Sequence, residues 1–269
     1  MTEAEGQRQG RQLLTAVERI IASTDSLIAL SQEHQRRAQE RDLGGEGATL
    51  DAAAAEVIAH FSRRSALSGG VTAAPALIPG LGSIMAAAGG TLADIGLVLK
   101  FEVEMALVLS HLYGFDITRP EERQIAFLLA SVGTYDVQSG GDVLGEIGQA
   151  ARAGKDAVWT YAPREVSKMV LSVMAKIALL KLSKGLLLRA LPVVGIAVGS
   201  TMNHALTRRV GERCIRDLKT RRQLVKPRVA KQAPSAQPTP AAESAASDRP
   251  RKSPKAKVGK QARKTRKAH

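Results

Sequence analysis

Ser65 to Gly114 reads SALSGGVTAAPALIPGLGSIMAAAGGTLADIGLVLKFEVEMALVLSHLYG, and the two parts of this stretch decide the fold. Ser65 to Ala93 carries no charged side chain. Pro75 and Pro79 break the helical ladder, and Gly69, Gly70, Gly80, Gly82, Gly89 and Gly90 each lower helix propensity by about 1 kcal/mol. This argues against one simple spanning helix and for a broken or hairpin-like segment. Such a segment belongs either in the crowded centre of a helical bundle or at membrane depth with its backbone satisfied by other protein. From Leu92 to Tyr113 the sequence predicts a long apolar helix that Gly114 ends. Lys100, Glu104 and His111 fall on one side of it, and the spacing reads as a solvated stripe. Asp94 and Glu102 lie off that stripe. A carboxylate there approaches an apolar face and needs a basic or hydrogen-bonding partner.

Working outward, Gln9 to Arg41 predicts an amphipathic helix with Leu13, Val17, Ile20, Ile21, Leu27 and Ile28 on its apolar side. The glycines of LGGEG at 43–47 stop it. Thr49 or Asp51 can cap a second helix that buries Leu50, Ala54, Val57, Ile58 and Phe61 and closes at Arg63 and Arg64. Beyond the central stretch, Thr118, Pro120, Glu121 and Glu122 read as the start of a helix running to about Thr134. Ser139 to Ala162 predicts a weaker helix. Another starts at Pro163 and buries Val166, Met169, Val170, Val173, Ile177 and Leu180. Lys181 and Lys184 continue that side, so the helix bends near Ser183 and Gly185 or the lysines snorkel. A second apolar stretch, Ala190 to Leu206, leads into a basic helix ending near Leu224.

An aromatic content of 3% in 269 residues, with Ala, Leu, Val and Gly dominating, suits helices packed through small residues better than sheets. The fold class expected is all-α: one helical bundle with two Gly/Ala-rich apolar segments and a disordered basic tail. Its parts are an N-terminal helix and loop at 1–48, a helical domain at 49–225 and the tail at 226–269. The lone cysteine, Cys214, suits a reducing cytoplasm. The N-terminus MTEAEGQRQGRQ lacks the apolar core of a secretory signal.

Of the net charge of +14, eleven charges belong to the tail, which holds thirteen Lys or Arg against Glu243 and Asp248. Its composition does not offset the entropy of ordering. The polyanion-binding candidates are Arg249, Arg251, Lys252, Lys255, Lys257, Lys260, Arg263, Lys264, Arg266 and Lys267. They suit an anionic membrane surface, at about 1 kcal/mol per basic residue, or nucleic-acid phosphates.

The motifs that announce an enzyme are missing from the sequence: no Walker A, HExxH, GxSxG or paired-cysteine pattern. Asp94, Glu102, Glu104 and His111 are the acid and base candidates of the central helix, but such residues more often form a solvated face or a structural pair. His60 and His204 read as histidines satisfying local hydrogen bonds rather than as metal ligands. GGVTAAPALIPGLGS lacks the strand and the following Lys-Ser or Lys-Thr of a phosphate loop. No catalytic residue, cofactor or metal is expected.

Pro79, Gly82 and Gly89 are echoed by Pro192, Gly195 and Gly199, each set opening a small-residue helix. The chain also resembles the EcsC family of bacterial proteins. The resemblance rests on IPGLGS, with Pro79, Gly80 and Gly82; on LAD, with Asp94; on LYGFD, with Tyr113 and Gly114; and on LPVVGIAVGSTMNHALT, with Pro192, Gly195, Gly199 and Asn203. It spans Phe61 to Leu218 and leaves the N-terminal helix and the tail outside. It implies a helical protein, and the family's name, taken from a member encoded beside an ABC transporter, implies support of a transport or envelope system. Two functions follow as expectations. One is a non-enzymatic protein held peripherally at the inner face of the cell membrane, with Arg63, Arg64, Lys184 and Arg189 flanking its apolar segments. The other is a helical domain that brings its tail to DNA or RNA.

Overall fold

The computed structural model describes residues 3–70, 90–142, 163–188 and 195–225, with backbone alone at 3, 68–70, 90–94, 181–188 and 195–200. All the regular structure among them is helical: α1 (Glu3–Ile20), α2 (Thr24–Gln39), α3 (Glu46–Gly70), α4 (Gly90–Leu112), α5 (Pro120–Ser139), α6 (Pro163–Leu188) and α7 (Gly195–Leu224). The expected all-α class is the observed one. Expectations for Pro79, Gly80, Gly82, Gly89, Pro192, residues 143–162 and the tail from Lys226 lie outside the described residues.

Helix α4 is the axis, in contact with all six of the others. Phe101 to Ser110 are buried without interruption, as are Ile125 to Thr134 of α5. A helix buried all round shows no amphipathic stripe, because every face meets another helix. Among the described residues no helix is long and apolar enough to cross a membrane.

The predicted helix from Gln9 to Arg41 is two helices. Ser23 caps α2, its hydroxyl oxygen accepting from the Ser26 amide at 3.3 Å, and this cap competes with continuation of α1. Helix α3 starts earlier than Thr49, at Glu46, and runs past Arg63 and Arg64 to Gly70. Of its predicted apolar side, Ala54, Val57, Ile58 and Phe61 are buried and Leu50, near the start of the helix, is half-buried. Helix α5 begins with Pro120 in its first turn, as expected. It extends beyond Thr134 to a left-handed Gly140 (φ 73°) whose amide donates to the Asp136 carbonyl at 2.8 Å. At the end of α4, Gly114 has φ 92°, a region where a side chain is strained.

Pairings between helices fix their directions. Along α3 and α7, Asp51 meets Lys219 at 2.8 Å, Ile58 meets Gly211, and Ser65 accepts a hydrogen bond from Thr207 at 2.9 Å, an antiparallel order. Glu122 with Arg221 and Gly133 with Val210 make α5 and α7 antiparallel too. The short turn after α4 sends α5 back along it. Helix α6 runs parallel to α5, since Phe127 and Val170 line one cleft and Lys176 lies over the Tyr135 ring. Gly6 beside Leu179 and Gly10 beside Ala175 set α1 antiparallel to α6. The ends of α3, α5 and α6 and the starts of α4 and α7 therefore lie toward one end of the bundle.

Candidate functional site

The acids and bases of α4 do not converge. Glu102 is fully buried and accepts a hydrogen bond from the Thr134 hydroxyl of α5, the partner that its position off the polar stripe required. Glu104 accepts from Lys100 Nζ at 2.7 Å and from the Ala22 amide at 2.8 Å, so it closes the break between α1 and α2. His111 Nδ1 lies 3.0 Å from the Ser31 hydroxyl of α2, and burial pushes its pKa below the ordinary value. The stripe of Lys100, Glu104 and His111 is thus not solvated. Helix α2 and the turn before it cover it, and the polar groups face a neighbouring backbone and hydroxyl instead of water. The Asp94 side chain lies outside the described residues. Among the described residues no three His, Cys, Asp or Glu form a group able to hold a metal. Burial pushes the Cys214 thiol far above its ordinary pKa, which suppresses the reactive thiolate.

The LYGFD positions build a corner. Tyr113 is buried, and burial, with Asp51 adding to it, pushes its pKa up to about 12. Asp116 Oδ1 accepts from the Thr118 amide at 3.1 Å and from its hydroxyl at 2.6 Å, which fixes the turn into α5. The Arg221 guanidinium sits 4.0 Å from the Phe115 ring centroid and holds Glu122 in two bonds of 2.7 and 2.9 Å. His60 packs edge-on to His34 and Phe61, and its Nε2 finds no hydrogen bond among the described residues, contrary to the expected local bond. Burial above all, helped by Arg64, pushes its pKa down to about 4. Gly195 opens α7, Gly199 lies within it, and Asn203 follows half-buried. His204 is likewise half-buried in α7.

Two surface features remain. At the end where α3 stops and α7 starts, Leu67 and Met202 are 69% and 67% exposed, the most exposed large apolar side chains of the described residues. Around the Ser65–Thr207 hydrogen bond stand Arg63, Arg64, Arg208 and Arg209, all exposed, of which Arg208 pairs with Glu212 at 3.0 Å. No acidic residue occurs in Val57 to Gly70 or in Gly195 to Gly211. Toward the other end, a cleft of about 350 Å³ separates α1, α5 and α6. Leu14, Phe127 and Val170 form its apolar lining, and Glu18, Arg123 and Gln124 its polar lining. Sequence reasoning named Arg63 and Arg64 but missed Leu67, Met202 and the cleft. Their significance depends on helix directions and partners that periodicity does not carry.

A family model described as the EcsC protein family matches residues 7–222. The chain belongs to the EcsC family. The match takes in α1 and α2, which the resemblance had left outside, and this agrees with their packing on α4 and α6. No curated protein and no solved structure matches this EcsC protein.

Proposed function

We propose that this EcsC protein is a non-enzymatic, peripheral protein of the inner face of the cell membrane, docked through the end of its bundle that carries Leu67 and Met202, in support of a transport or envelope system. One observation carries the reading. The helices that flank 71–89, a stretch without a charged residue, and 189–194, charged only at Arg189, have their flanking ends there, where Leu67 and Met202 stand exposed beside Arg63, Arg64 and Arg209, with Arg208 paired to Glu212. A basic rim around apolar groups is the chemistry of an interfacial binder, each basic residue adding about 1 kcal/mol and each buried CH₂ about 0.8 kcal/mol. The non-enzymatic part is supported by the structural engagement of Glu102, Glu104 and His111.

Fractionation of a cell lysate tests it. In roughly 1 M salt the Debye length falls to about 3 Å, so purely electrostatic attachment is lost and apolar attachment remains. Retention in the membrane pellet is the expected result. Complete release at high salt, with nuclease releasing the protein at low salt, contradicts it and favours the tail bound to nucleic acid.

A further inference from the structure

We propose that the cleft between α1, α5 and α6 binds a free amino acid with an apolar side chain, of the size of leucine or phenylalanine. The cleft offers about 350 Å³, enough for one such molecule with water. Its polar side presents two opposite charges that do not neutralise each other directly. Glu18 and Arg123 interact through space, and neither makes an ion pair among the described residues. Arg123 gives Nη1 to the Thr24 hydroxyl at 2.6 Å, which holds the guanidinium in place and leaves its remaining donors for a ligand. It stands in the first turn of α5, where the helix dipole adds positive potential, so a carboxylate is favoured on that side.

Glu18 on α1 supplies the complementary site for an ammonium group. Gln124 adds an acceptor, since its Oε1 is buried without a hydrogen-bond partner among the described residues and a donor from a ligand satisfies it. Leu14, Phe127 and Val170 then receive the side chain. A simple carboxylate meets Glu18 unfavourably and a simple amine meets Arg123 unfavourably. A zwitterion satisfies both, which selects for the free amino acid over either half of it. This cleft lies away from the end proposed to meet the membrane and does not rest on that proposal.

Titration calorimetry and saturation-transfer NMR on the full chain test it, with L-leucine and L-phenylalanine as probes and 4-methylpentanoate and 3-methylbutylamine as single-charge controls. At least one amino acid is expected to bind, with each control at least about tenfold weaker, as loss of one charge-assisted contact implies. Glu18→Gln, an exposed position whose change preserves shape, is expected to weaken the amino acid at least about tenfold with an unchanged melting temperature. Arg123→Gln is expected to abolish binding, and its melting curve reports separately on the lost Thr24 contact. No binding of either amino acid at roughly 10 mM, well above the weak-binding scale, overturns the proposal. So does a carboxylate control that binds as tightly as leucine, or a Glu18→Gln variant that binds as the wild type does.

Discussion

Arg221 and Glu122 show how the charged residues of this chain are used. Both ions are largely out of water, and the paired bonds and the Phe115 ring offset part of their desolvation. Arg221→Met leaves Glu122 buried without its partner and is expected to cost about 3–5 kcal/mol in urea unfolding, whereas adding Glu122→Leu recovers much of that loss. A double variant whose loss equals the sum of the losses of Arg221→Met and Glu122→Leu would show that the pair is not coupled. His60 gives the pH dependence. Its folded pKa lies near 4 against 6.5 when unfolded. Below pH 6.5 the unfolded chain takes up a proton that the folded chain refuses, so stability falls as pH drops from 6.5 toward 4. His60→Gln is expected to flatten that decline in a pH series of melting curves, with His111, shifted in the same direction, leaving a residual slope. At this scale the sequence made Glu102's need for a partner legible, because a carboxylate on an apolar face has few alternatives. It did not reveal that Glu104 and His111 are covered, since charges spaced along a helix look the same whether they face water or the amide and hydroxyl of another helix.

Between elements, close approach of backbones sets the packing. A Cβ at Gly10 would stand 2.7 Å from the Ala175 amide nitrogen and 2.9 Å from its Cα, a backbone that cannot swing aside. Gly10→Ala gains up to about 1 kcal/mol of helix propensity but forces α1 away from α6, with a strain of about 1–3 kcal/mol. The expected net result is a lower melting temperature, and an unchanged or raised one would show that α1 shifts freely. The central apolar helix, the proline start of α5 and the apolar side of α6 were legible because burial, caps and turns leave local marks. The break between α1 and α2 was hidden because apolar spacing continues across it. Ser23 caps α2 and Glu104 of α4 takes the neighbouring Ala22 amide, the latter a contact 82 residues away in sequence.

For the whole molecule, helix direction turns scattered residues into a surface. Leu67 and Met202 are 135 positions apart in the chain and carry no motif, yet the antiparallel α3 and α7 bring them to one end beside Arg63, Arg64 and Arg209. The family and the all-α class were legible in ordered motifs and composition, but this surface was not. The most direct measurement is flotation of the full chain with vesicles containing anionic lipid, at about 0.1 M and about 1 M salt, where the screening length falls from roughly 10 to 3 Å. The wild type is expected to float with the vesicles at both, and a Leu67→Asp, Met202→Asp variant, folded by its melting curve, to detach at high salt. A variant that floats like the wild type at about 1 M salt, or a wild type that never floats, would contradict docking through this end.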